Sequence, residues 1–107
     1  MSDIMIGWTT AGDENAAKTL AEELVHSKLA ACVQLDSPIT SWYEWNGKVE
    51  NETEYRLAIK FPAANAHKIK EWLGEHHPYE EPQWIVVSAT DSMEGYRKWV
   101  SQCSMSD

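Results

Sequence analysis

Two adjacent histidines, His76 and His77, stand directly before Pro78, and two adjacent carboxylates, Glu80 and Glu81, follow closely. Imidazole nitrogens bind Cu²⁺, Zn²⁺ and Ni²⁺ well, but two of them alone make a weak site, which nearby carboxylates can complete. On a regular helix, neighbouring side chains point ~100° apart and would not grip one ion. Pro78 pushes His77 out of the α region, however, so the two rings can converge. His76, His77, Glu80 and Glu81 are therefore the candidate metal ligands. The same block also reads as a helix C-cap, with imidazoles near the last carbonyls and His76, four residues after Trp72, packed against the core. The residues alone leave both readings open.

A second charged feature is the row Glu50, Glu52, Glu54, whose spacing puts three carboxylates on one face of a strand. Such a row can hold hard cations loosely, or it can solvate a strand and discourage edge pairing. Lys60 ends the row and would pair with Glu54 or take an anion. His26 and His67 fall on helical surfaces, His67 four residues before Glu71. Cys32 in an apolar run and Cys103 near the tail are too far apart in sequence to read as a disulfide framework; both are expected as reduced thiols, Cys103 in a frayed end. There is no Gly-rich phosphate loop, His-Glu-x-x-His, Cys-x-x-Cys or Ser-His-Asp order, so nothing in the residues asks for an enzyme.

The chain has 107 residues, 17 acidic against nine basic, for a formal charge of −8. No Lys/Arg cluster is present, which argues against a nucleic-acid role, while the acid excess attracts cations. No apolar run approaches the ~20 residues a membrane span needs. The start, Met1-Ser2-Asp3-Ile4, lacks the basic and apolar regions of a secretory signal, so a cytoplasmic protein is expected. The length suits one domain over residues 1–107.

These side chains need elements to position them. Ile4 to Thr10 reads as a buried strand. Asp13 can N-cap a helix carrying Ala17, Leu20, Ala21, Leu24 and Val25 at helical spacing. Ala30 to Leu35 and Ile39 to Trp45 read as one long strand bent at Pro38. Asn46-Gly47 is the strongest short-range hairpin signal, and Val49 to Phe61 returns with apolar odd positions and mostly charged even ones. A helix with Ala66, Ile69, Trp72 and Leu73 ends at the histidines, and Gln83 to Thr90 is the last strand. Asp91 and Glu94 fit a capping box for a final helix. The order β-α-β-β-α-β plus a last helix predicts an α+β, ferredoxin-like sandwich with both main helices on one face and a long central hairpin. Six tryptophans are more than one small core needs. Trp42, Tyr43, Trp45 and Tyr55 on the hairpin suggest a surface covered by another copy of the chain.

Several blocks in order resemble the CutA family of divalent-cation tolerance proteins. They are Leu29-Ala30-Ala31-Cys32, Ser41-Trp42-Tyr43-Glu44-Trp45-Asn46-Gly47-Lys48, Glu54 and Lys60, His77-Pro78-Tyr79-Glu80-Glu81-Pro82, and Tyr96-Arg97-Lys98-Trp99. The resemblance implies a homotrimer with hairpins pairing between subunits, in the manner of PII signalling proteins. It also implies a role in tolerance of copper and other divalent cations. Copper would bind through His76 and His77, with no tightly bound cofactor expected; the family's cysteine ligand on the first strand is replaced here by Trp8, which offers no thiolate. An alternative implied by the same architecture is a signalling or small-ligand module with clefts between subunits, lined by Tyr43, Trp45, Glu54, Lys60, His77 and Tyr79. A catalytic use of that cleft ranks third, because no oriented nucleophile is evident.

Overall fold

The computed structural model describes residues 3–104. Strand β1 spans Ile4–Ala11, helix α1 Glu14–His26, strand β2 Cys32–Leu35, strand β3 Ile39–Trp45, strand β4 Lys48–Pro62, helix α2 Ala66–His76, strand β5 Ile85–Ser88 and helix α3 Glu94–Gln102. The sheet runs β2-β4-β1-β5, all neighbours antiparallel, with β3 extending the β2 edge along the outer part of β4. This is the ferredoxin-like order, and the expected bent strand is resolved into β2 and β3. Between them the Asp36 N–H still donates to the Arg56 carbonyl at 2.9 Å.

The alternation of β4 decides which face is covered. Leu57, Ile59 and Phe61 are fully buried against Ala17, Leu20 and Leu24 of α1 and Ile69 and Leu73 of α2. Burying each such large apolar side chain contributes about 2 kcal/mol. The β1 residues on the same face, Met5, Gly7, Thr9 and Ala11, alternate with Ile4, Ile6, Trp8 and Thr10 on the other. Gly7 is needed for a close approach: a Cβ there would lie 2.3 Å from the Trp84 ring, which stacks on Phe61 at 5.9 Å. The second face is only partly covered. Val100 of α3 packs with Ile4 and Ala31, and Cys103, expected in a frayed end, packs against that cluster. Ile85 and Val87 on the same face remain exposed.

Asp13 caps α1, its carboxylate accepting from the Asn15 and Ala16 amides. Asn46 and Gly47 both have positive φ, 53° and 79°, as a type I′ turn requires, and this sets Trp45 opposite Lys48 and Tyr43 opposite Glu50. Three local expectations are corrected. The last strand is four residues, not eight. Helix α3 begins at Glu94 with Met93 as its uncapped N-cap residue, while Asp91 accepts from the adjacent Ser92 amide and Glu94 pairs with Arg97. Tyr55 packs against the main core instead of adding to the exposed hairpin aromatics. No helix among the described residues is long and apolar enough to cross a membrane.

Candidate functional site

Where β1 stops at Ala11, β4 continues outward with only β3 beside it, and the segment after α2 folds back towards the exposed edge. The result is a cleft of ≈ 730 Å³ walled by Trp42, Tyr43, Trp45 and Tyr79. Among the described residues its charged groups are Glu52, Glu54 and Glu81, and no Lys, Arg or His lines it. Two carboxylates are held by phenols. The Tyr43 hydroxyl donates to Glu52 Oε1, and the Tyr79 hydroxyl donates to Glu54 Oε2 at 3.0 Å. The bond to Glu52 holds the Tyr43 hydroxyl up at about 12; burial, followed by the bond to Glu54, does the same for Tyr79. Both phenols are therefore donors at neutral pH, and the carboxylates beside them are acceptors.

His77 lies beneath this cleft without lining it. Its ring is 8% exposed. Nε2 is 2.8 Å from the Thr10 carbonyl, which can only accept, so Nε2 carries the proton; Nδ1 then accepts from the Tyr79 amide at 3.0 Å. Burial lowers the His77 pKa, against the opposing pull of the Thr10 bond and the Glu54 charge. With both nitrogens engaged, the neutral ring has no lone pair free for a metal. It ties the end of β1 to the turn that presents Tyr79.

His76 is oriented the opposite way. It stays on α2, exposed, with its ring stacked on Trp72 at 4.5 Å and Nδ1 2.9 Å from the Trp72 carbonyl. Nδ1 must donate there, which leaves Nε2 with a free lone pair facing outward. The two histidines thus do not converge on one point: the chain forms the C-cap arrangement, but His76 stays exposed on the Trp72 ring instead of packing against the core as expected. Glu81 lines the cleft and Glu80 is exposed, and among the described residues of one protomer no group of three His, Cys, Asp or Glu side chains is placed to hold a metal ion.

Of the six cleft residues implied by the resemblance, Tyr43, Trp45, Glu54 and Tyr79 come together. Lys60 does not join them. It is six residues from Glu54 along an extended strand, roughly 20 Å, and its ammonium lies 5.9 Å from the Tyr96 ring of α3. Trp42, Glu52 and Gln83 also line the cleft, although the resemblance does not point to them. The hairpin register was the available signal for Glu52, since the Asn46-Gly47 turn puts it on the same face as Tyr43, one pair along. No local signal marks Gln83.

The model of the CutA1 divalent ion tolerance protein family matches residues 5–103. The chain belongs to that family. A divalent-cation tolerance protein CutA from Yersinia pestis (strain Pestoides F) is 35% identical over 100 residues, covering 94% of this chain and 84% of that protein. The crystal structure of CutA1 from Oryza sativa superposes with a TM-score of 0.96 at 27% identity, covering 99% of this chain and 97% of that one. A CutA from Archaeoglobus fulgidus, named as a periplasmic divalent cation tolerance protein, superposes with a TM-score of 0.89 at 25% identity, covering 94% and 97%. In this CutA chain Trp8 lies mid-strand on the half-covered face, half-buried opposite Ala58 and Ile85, and its indole offers no thiolate or imine ligand.

Proposed function

We propose that this CutA chain serves divalent-cation tolerance as a homotrimer that binds Cu²⁺ and other divalent cations through His76, with Glu80, Glu81 or a carboxylate of a neighbouring subunit completing a site that the described residues of one protomer do not form alone. The observation that carries the reading is the orientation of His76. Metal-ligating histidines characteristically donate their other ring N–H to a carbonyl or carboxylate, and His76 does so to Trp72, leaving Nε2 directed outward. His77 serves as a strut. One imidazole with exposed carboxylates makes a weak, exchangeable site, in keeping with a cation that is handled and not stored, and a further donor comes from a neighbouring subunit. The trimer is supported by the apolar side chains left uncovered in one protomer, Ile85, Val87, Met93 and Trp99 among them. The reading is of binding: both cleft phenols stay protonated at neutral pH and serve to hold the carboxylates.

Calorimetric titration with Cu²⁺ tests this. His76→Ala is expected to weaken binding at least about tenfold, while His77→Ala leaves affinity within about twofold and lowers stability instead. The reverse pattern overturns the assignment. Light scattering is expected to give about three times the 12.2 kDa of one chain, and a single-chain mass would overturn the trimer.

A second reading, a small-ligand module of the PII kind, is favoured by the assembly of Tyr43, Trp45, Glu54 and Tyr79 around one cleft.

A further inference from the structure

We propose that the cleft between the hairpin and the Tyr79 segment binds an organic ammonium ion, specifically a protonated alkyl diamine. This rests on the small-ligand reading and names its ligand class. The first argument is the sign of the charge. Glu52, Glu54 and Glu81 line the cleft and, among the described residues of one protomer, no basic side chain does, so phosphates and carboxylates are disfavoured; Lys60 of the same chain, which would have favoured an anion, stands elsewhere under Tyr96. The second is the nature of the walls. Four aromatic side chains surround those carboxylates, and the faces of Trp and Tyr attract cations within ≈ 6 Å of the ring centre.

A bare divalent metal ion gains little from such walls. It requires several oxygen or nitrogen ligands at close range, and aromatic carbon supplies none. Glu52 and Glu54 each already accept from a tyrosine, and no cluster of three ligating side chains is present among the described residues. An alkylammonium ion is matched on both counts, because its methylenes lie against rings while each ammonium needs only one carboxylate and a few acceptors. The spacing fits two charges. Glu52 and Glu54 share a strand face two residues apart, about 6.6 Å, which is near the separation of the nitrogens in a short diaminoalkane. The volume of ≈ 730 Å³ lies in the ordinary range for small-ligand pockets. The tyrosine hydroxyls hold the two carboxylates in place before the ligand arrives, which limits the ordering needed on binding.

The test is calorimetry on the full assembled protein at low and at physiological salt, with 1,4-diaminobutane, its neutral isostere 1,4-butanediol, and succinate. Binding of the diamine alone is expected. Glu52→Gln and Glu54→Gln should each weaken it about tenfold or more, as loss of one charged hydrogen bond does, since Gln still accepts from the tyrosine. Glu71→Gln, on α2 and outside the cleft lining, changes charge equally and should leave affinity within about twofold, which separates the site from general attraction to an acidic chain. Diamine binding that ignores both cleft variants, or equal binding of butanediol, overturns the proposal. Binding of succinate in place of the diamine overturns the ammonium assignment and leaves the cleft as a ligand site; silence from all three probes removes the cleft reading as well.

Discussion

From Lys48 to Thr53, strand β4 has only β3 beside it and every residue is exposed; from Leu57 to Phe61 the same strand lies between β1 and β2, and alternate side chains are buried beneath α1 and α2. The period-two pattern is nearly the same in both halves. Val49, Asn51 and Thr53 occupy the positions equivalent to Leu57, Ile59 and Phe61, yet all three are exposed. Alternation therefore states which residues share a face, while burial depends on whether a helix reaches that face. The inner half supplies stability. The outer half, freed from the core, carries Glu52 and Glu54 into the cleft and leaves its other surface exposed in the protomer.

The largest effect should come from truncating the inner half. Ile59→Ala removes a fully buried side chain between two helices and is expected to cost about 3 kcal/mol in denaturant unfolding at fixed protein concentration. The same kind of truncation at Val49, which is 77% exposed in the protomer, should cost less than about 0.5 kcal/mol. A cost at Val49 approaching that at Ile59 would break the contrast, because it would mean that a neighbouring subunit buries the outer half.

A smaller effect is expected at the tip. Gly47 has φ 79°, and a Cβ added there would find no atom within 4 Å, so Gly47→Ala meets no clash and is penalised by backbone conformation alone, by about 1 kcal/mol. If the two halves are energetically separate, that loss adds to the loss from Ile59→Ala in the double variant, within about 0.5 kcal/mol. Marked non-additivity would show that the hairpin and the core act as one unit.

What the sequence discloses follows the same division. The hairpin, its register and the buried row of β4 depend on neighbouring residues, so Asn46-Gly47 and the alternation reveal them. The contacts that make the cleft join distant segments. Tyr79 reaches Glu54 across 25 positions and His77 reaches Thr10 across 67, and no local pattern encodes either. The pairing of Lys60 with Glu54 fails for a reason that strand geometry already contains, since side chains sharing a face are still separated along it. The histidine pair is legible as a helix end but not as two opposed roles: which nitrogen is free depends on the carbonyls of Trp72 and Thr10, one local and one remote. Trp72 at one turn before His76 was the readable half.

The smallest expected effect lies at the junction of the two halves, where His77 holds the end of β1 to the turn bearing Tyr79. The pKa of His77 in the folded chain is below its ordinary value of ~6.5, chiefly through burial, so the folded state binds fewer protons there than the unfolded state. Its contribution to stability is therefore complete above about pH 6.5, declines as the pH falls below that value, and levels off once the folded ring is itself protonated. The structural reason is specific: protonated Nδ1 no longer accepts from the Tyr79 amide, whereas Nε2–H keeps its bond to Thr10. No side chain is removed, which is why the effect ranks below the truncations. Unfolding curves between pH 7.5 and pH 5 should fall more steeply for the native chain than for His77→Gln, which keeps polar groups but does not titrate. Equal slopes would place the junction's stability in packing alone. A steeper native slope with unchanged loss from Ile59→Ala across the same range would show that the joint between the halves loosens while the core beneath it does not.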